Sequence, residues 1–302
     1  YCCLINTNMR SVNLNIIKVW FFLFGGACLN VGNAQIKHNA GIKFIDCYFE
    51  NASPLSWNIQ GDTVVRISLL PDYERDKLNR QTDHWHFRVE ANKGSRIRLV
   101  LSKTWADIYN GNLATAWWNS KNKISCYISY DQQNWKPVRT VSLPDNELMV
   151  DFITRDESVY VARLPAYTEK NLMKLERNIK GNPLVEIIPI GSTVERRMLE
   201  IIRVGDPNAK HSILIRARSH PWEPEGNWII EGLINGFLRE NARSEKWKEQ
   251  ICYYIMPMAN KDGVSHGMTR FNVAGKDLNR DWLFNADTTN APENYALMHF
   301  VM

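Results

Sequence analysis

The period of the apolar pattern changes once along the chain, at Pro165-Ala166-Tyr167, and that change limits what the chain can fold into. Before it, apolar and aromatic residues alternate with polar ones in His84-Trp85-His86-Phe87-Arg88-Val89, Arg96-Ile97-Arg98-Leu99-Val100-Leu101 and Val159-Tyr160-Val161-Ala162-Arg163-Leu164. A period of two puts one face of a strand in a core and the other in water. Further runs of this kind lie at 42–46, 64–69 and 125–130. Short strands at this spacing predict an antiparallel β-sandwich over residues 36–167. After the change, Leu172, Leu175 and Ile179 fall at helical spacing within 168–179. Strand-like runs follow at 184–190, 198–204, 212–218 and 251–257, with a helix at 225–239 that carries Trp228, Ile229, Leu233, Phe237 and Leu238 on one broad face. Strands alternating with helices predict a partial α/β domain with a mixed sheet over 168–302.

A chain of 302 residues with 44% hydrophobic content can bury the cores of two such domains. Its net charge of +5 comes from scattered Lys and Arg, without the basic block that marks a nucleic-acid partner. The first residue is Tyr, and Met9 is the first plausible start. From there Arg10 and Lys18 precede an apolar core at 19–29, and Gly32 and Ala34 stand at −3 and −1 of a cleavage point. This reads as a secretory leader over 9–34, with upstream read-through at 1–8 and a periplasmic or extracellular destination. The apolar run is shorter than the ~20 residues of a membrane span, so no stable span is expected after the leader is removed. Cys28 would suit lipidation, but Gly25 stands where that signal wants Leu.

Chemistry concentrates in two segments. Arg218-Ser219-His220-Pro221-Trp222-Glu223 follows a predicted buried strand and precedes a helix, where open α/β sheets place their sites. A His and a Glu three apart in a tight loop can reach one ion, and both donor types suit Zn²⁺. Taken alone, the pair reads first as a loop histidine bonded to a neighbouring carboxylate. The second segment runs Pro257-Met258-Ala259-Asn260-Lys261-Asp262-Gly263-Val264, then Arg270, then Gly275-Lys276-Asp277-Leu278-Asn279-Arg280-Asp281-Trp282. Guanidinium forks suit carboxylates, and Asn279 adds a neutral amide donor. Taken singly, Arg270 and Arg280 read as members of surface ion pairs.

In their order and spacing the two segments resemble the M14 family of zinc carboxypeptidases, and within it the cytosolic-carboxypeptidase-like subfamily. That subfamily also places a β-sandwich before its catalytic domain, and the strands around Trp85, Tyr127 and Tyr160 match its pattern. The resemblance implies one bound zinc with His220 and Glu223 as ligands. It implies that Arg270 polarises the scissile carbonyl, and that Asn279 and Arg280 hold the terminal carboxylate of a peptide or protein substrate. The family also needs a second zinc-binding His and a general-base Glu further along. His299, in a predicted helix over 292–302, is not assigned as that ligand. The chain is therefore expected to be an incomplete carboxypeptidase, inactive by itself. The subfamily's usual address makes the cytoplasm the alternative to export. Two other readings stay open: a zinc amidohydrolase on the same scaffold, and a non-catalytic binding protein. Oligomeric state and side-chain preference are not legible.

Other residues carry weaker signals. His84 and His86 share a strand face and read as packing or surface residues rather than metal ligands, since no third ligand is near in sequence. His266 reads as solvent-exposed, with a cleft-lining role as the alternative. Trp117-Trp118 reads as core before it reads as a sugar platform. Asn51-Ala52-Ser53 matches a glycosylation sequon. Cys2, Cys3 and Cys28 lie in or before the leader; Cys47, Cys126 and Cys252 read as buried thiols rather than a Cys47–Cys126 bridge.

Overall fold

The computed structural model describes residues 41–302, apart from 62–63, 76, 114–123, 240–245, 281 and 283–286. The leader at 9–34, the segment before it, Cys2, Cys3, Cys28, Trp117 and Trp118 lie outside the described residues.

In the N-terminal half, alternation produces short strands. In chain order they are β1 (Ile42–Asp46), β2 (Leu55–Gln60), β3 (Val64–Leu69), β4 (Asp72–Tyr73), β5 (Arg80–Gln81), β6 (His86–Ala91) and β7 (Arg96–Lys103). Then come β8 (Ile108–Tyr109), β9 (Asn112–Leu113), β10 (Cys126–Ser129), β11 (Lys136–Val138), β12 (Thr140–Leu143), β13 (Glu147–Ile153) and β14 (Ser158–Ala162). One sheet has the order β1-β6-β14-β10-β11, and a second the order β12-β13-β7-β3-β2. Both contribute to one apolar core: Phe87, Val89, Val159 and Val161 from the first, and Val65, Ile67, Leu69, Ile97, Leu99 and Leu101 from the second, all with no exposure. Burying each such side chain stabilises by about 1.5–3 kcal/mol. The second sheet departs from the antiparallel expectation, because β3 runs parallel to β7. A parallel pair needs a long crossover, and the excursion through β4, β5 and β6 supplies it. That excursion also carries half of a small sheet, β4-β5-β8-β9, which faces the second half of the molecule.

The second half begins with α1 (Glu169–Ile179), whose Leu172, Leu175 and Ile179 are buried. The Thr168 amide donates to Asn171 Oδ1 at 2.9 Å, which satisfies one orphan donor at the helix start. The third core sheet has the order β15 (Val185–Ser192), β16 (Met198–Val204), β18 (Ile251–Met256) and β17 (His211–Arg216). Only β17 and β18 pair in parallel among these described strands, so this sheet is mixed as expected. Helix α2 (Glu225–Leu238) covers one face through Ile230, Ile234 and Phe237. Helix α4 (Pro292–Val301) covers the other face through Ala296 and Leu297, packed with Leu199, Ile201 and Met256. Between β18 and α4 the described residues form one short helix, α3 (Lys261–Ser265), capped by the Asn260 side chain, and are otherwise irregular. Cys126 and Cys252 are buried and Cys47 is half-buried, all three as thiols. Among the described residues, no helix is long and apolar enough to cross a membrane.

Candidate active site

Strands β17 and β18 end side by side, and their pairing continues past the strand ends. The Ala217 amide donates to Met256 O at 3.0 Å, and the Asn260 amide to Arg218 O at 3.0 Å. The two chemical segments therefore leave the sheet together. Arg218 then adopts a left-handed backbone, φ 58°, which is uncommon outside Gly and Asn. Its buried guanidinium compensates: Nε donates to Pro221 O at 2.7 Å and Nη1 to Asn227 Oδ1 at 3.0 Å. Asn227, on α2, is fixed in turn by donating to Pro257 O at 2.8 Å. The reversal at Arg218 and this network turn the His220 ring into the space between the segments.

His220 is only 5% exposed and touches two carboxylates. Its Nδ1 lies 3.0 Å from Glu223 Oε1, and its Nε2 lies 3.1 Å from Asp277 Oδ1. The other Asp277 oxygen accepts from Arg270 Nε at 2.8 Å. The Asn279 amide donates to Asp277 Oδ1 at 3.0 Å. Burial works against a charged imidazole, but the bonds to Asp277 and Glu223 outweigh it and raise the His220 pKa. Burial would raise Asp277, yet His220 and Arg270 hold its carboxyl at about 2. Two carboxylates on one ring require a proton on both nitrogens, so this arrangement favours a cationic ring. His220 Nδ1 and the Glu223 carboxylate are the donors that would hold a metal cation in place of that proton. Asp277 would then be the carboxylate behind a metal-ligating histidine. The donor set thus fits zinc on its near side. Among the described residues no group of three or more His, Cys, Asp or Glu side chains is arranged to hold a metal, and Asp277 sits at the far nitrogen.

The N-terminal half holds the second segment in place. Asp72 Oδ2 accepts the backbone amides of Arg270 at 2.7 Å and Phe271 at 2.9 Å. Thr269 Oγ1 accepts the amides of Asp83 and His84 at 3.0 and 3.2 Å. The Arg75 side chain donates through Nε to Ala274 O at 2.9 Å. Asn279 and Arg280 are exposed, beside the His220 cluster in sequence and joined to it through Asp277. Arg270 Nη2 and Arg280 Nη2 both donate to the Tyr109 hydroxyl, at 3.3 and 2.6 Å.

The remaining candidates settle into structural roles. His84 Nε2 lies 3.1 Å from Asn51 O, and the buried His86 has Nδ1 3.2 Å from Asn51 Oδ1. Burial pulls their pKa values down to about 4 and about 3. His266 is exposed and pairs with Glu195 at 2.8 Å. Asn51 of the sequon is itself buried and donates to Val264 O at 3.0 Å, so it offers no accessible amide in the folded chain. Asp262 of the second segment is buried and supports the fold, accepting from Thr193 Oγ1 at 2.7 Å and Arg197 Nη1 at 2.6 Å. Sequence reasoning gave no role to Asp277, although it stands two residues before Asn279. Nothing in the local pattern points to Asp72 or Tyr109.

Comparisons with known proteins bear on both halves. The Zinc carboxypeptidase family model matches residues 174–298, and the Cytosolic carboxypeptidase N-terminal domain model matches residues 48–164. The chain is 25% identical over 219 residues to an uncharacterized protein of Zymomonas mobilis, covering 72% of this chain and 54% of that one. It is 27% identical over 250 residues to Cytosolic carboxypeptidase 3 of Mus musculus, covering 73% of this chain and 24% of that one. The chain thus spans about half of the first relative and about a quarter of the second. Among solved structures, a metallo-carboxypeptidase from Burkholderia cenocepacia superposes with a TM-score of 0.75 at 23% identity, covering 85% of this chain and 66% of that one. A metallo-carboxypeptidase from Pseudomonas aeruginosa, in complex with (2-guanidinoethylmercapto)succinic acid, gives 0.72 at 23% identity, covering 86% of this chain and 66% of that one. These two likenesses concern the fold.

The expectation of an exported protein is corrected by these matches. Relatives named as cytosolic carboxypeptidases and a cytosolic-type N-terminal domain point to the cytoplasm. A short apolar run flanked by basic and small residues is a generic pattern, and matches across two domains outweigh it. The two matched domains, in this order, place the chain in the M14 zinc carboxypeptidase family, in its cytosolic-carboxypeptidase-like branch.

Proposed function

We propose that the protein is a zinc metallocarboxypeptidase that hydrolyses the last peptide bond of peptide or protein chains. The observation that carries this reading is the His220 ring, held between Glu223 and Asp277, with Arg270 on the same Asp277. In this reading His220 and Glu223 supply two of the three protein ligands of a catalytic zinc. When bound, the metal contributes Lewis acidity toward the scissile carbonyl and lowers the pKa of a water. Asp277 fixes the tautomer and orientation of His220, and its other oxygen holds Arg270 through Nε. Arg270 stabilises negative charge as it develops on the carbonyl oxygen. Asn279 and Arg280, both exposed, grip the substrate's terminal carboxylate. The sandwich at 36–167 and the carboxypeptidase domain at 168–302 act as one unit, because the first anchors the loop that carries Arg270.

The test uses protein expressed from its complete gene. Peptides with a free C-terminal carboxylate lose their last residue, the corresponding C-terminal amides do not, and a chelator stops the reaction. Turnover that survives the chelator would sink the zinc reading, and equal hydrolysis of acids and amides would favour an amidohydrolase instead. Arg270→Ala lowers kcat by about 10²–10³-fold with a much smaller change in KM. An unaltered kcat removes the electrophilic role.

A further inference from the structure

Arg270 and Arg280, the two arginines proposed to touch substrate, meet one side chain that belongs to neither chemical segment. Tyr109 lies on β8, in the small sheet of the N-terminal half, 161 residues from Arg270 and 171 from Arg280. Its hydroxyl oxygen accepts from Arg270 Nη2 at 3.3 Å and from Arg280 Nη2 at 2.6 Å. Its ring faces the same two cations, with the Arg270 guanidinium carbon 4.7 Å and that of Arg280 5.9 Å from the ring centre. The opposite edge of Arg270 is fixed by Asp277 Oδ2 at 2.8 Å, and Arg280 Nη1 donates to Asn279 O at 2.8 Å. We propose that Tyr109 is part of the carboxylate grip, fixing Arg280 at a set spacing from Arg270 and offering its own hydroxyl to the terminal carboxylate. The proposal rests on the carboxypeptidase reading above.

Two guanidinium groups that share one acceptor stand close enough to repel each other. A neutral oxygen with two lone pairs, backed by the negative face of an aromatic ring, holds them together without neutralising either. Both cations therefore stay available to an incoming anion. The phenol has also one hydrogen of its own. With both lone pairs engaged by arginines, that hydrogen can be donated to a carboxylate oxygen held by Arg280. A C-terminal amide cannot use this arrangement as well, because its NH₂ group would face three donors. The N-terminal domain then contributes directly to the choice of substrate, through the β8–β9 hairpin whose Tyr109 meets Arg270.

The experiment is a calorimetric titration of the full chain with a set of N-acetylated dipeptides, each as the free acid and as the C-terminal amide. The unsubstituted chain is expected to prefer the acid by about tenfold or more. Tyr109→Phe keeps the ring and removes the oxygen; it should shrink the acid-over-amide ratio by about three- to tenfold, through weaker binding of the acid alone. Tyr109→Ala also removes the ring, and should shrink the ratio further. A merely structural tyrosine would weaken acid and amide together, and that result overturns the proposal. So does a full ratio in Tyr109→Phe. No preference in the unsubstituted chain overturns the carboxylate grip itself, and is distinguishable because it shows before any substitution is made.

Discussion

His220 carries more of the site than its neighbours because both of its ring nitrogens are engaged. Glu223 stands at one nitrogen and Asp277 at the other. A carboxylate behind a ligating histidine fixes which nitrogen faces the metal and makes it a better donor. The Asp277 side chain is almost wholly buried and also bonds Arg270, so its geometry is tightly held. Asp277→Asn preserves the shape and some of the hydrogen bonding but removes the charge. It should lower zinc affinity by about 10–100-fold, read by competition with a chromophoric chelator. An affinity equal to that of the unsubstituted chain would mean that Asp277 takes no part in metal binding. The residue was visible in the sequence as the first member of Asp277-Leu278-Asn279-Arg280, but its role was not. A motif shows residue types at a spacing, whereas the contact to His220 spans 57 residues.

The element that most needs outside support is the irregular stretch between α3 and α4. It lacks a ladder of its own among the described residues, and the N-terminal half adds hydrogen bonds to it through Asp72, Arg75, Asp83 and His84. Close approach is part of that support. Gly267 has φ +60°, and a Cβ there would overlap the carbonyl oxygen of Ala52. Gly267→Ala should therefore destabilise by roughly 2–4 kcal/mol, from the clash added to the left-handed backbone. Gly94 is a control: its φ is +81° and a Cβ there would meet nothing within 4 Å, so Gly94→Ala should cost only about 1 kcal/mol. Urea unfolding of the two variants separates the clash from the dihedral, and equal losses would show that the contact with Ala52 is not tight in solution. Local alternation revealed β3, β6, β7 and β14 because burial on one face is written every second residue. The parallel pairing of β3 with β7 was not visible, since the partner of a strand is chosen by topology rather than by its own pattern. Asp72 escaped for the same reason, standing 198 residues from the amide it holds.

At the scale of the whole molecule, the two halves are tied through Asn51, which bonds Val264 O with its side chain and the buried His86 on its other side. The Asn51 amide also donates to Ser265 O at 3.0 Å. His86 has no exposure and sits edge-on to Phe49 and Trp135, with ring centres 4.9 and 5.6 Å away. Burial first, and His84 second, pull its pKa down to about 3. The unfolded chain takes up this proton near the ordinary value of 6.5, while the folded chain resists it until about 3. Stability from the neutral ring is thus complete above 6.5 and is lost as the pH falls from there toward 3. The buried carboxyls of Glu200 and Glu293 push the other way, since burial raises each to about 7 and the folded chain gains from their protonation. A bare stability profile would mix these effects, so the informative quantity is a difference. His86→Gln removes the titrating ring and leaves Glu200 and Glu293 in place. Urea unfolding at several pH values between 8 and 4.5 should show the unsubstituted chain more stable than the variant at pH 8. The gap should close by up to about 1.4 kcal/mol per pH unit below 6.5. A constant gap across that range would mean that the ring is solvated in solution. A closing gap would show that the neutral, buried His86 ring at the Asn51 junction contributes to the stability of the folded chain.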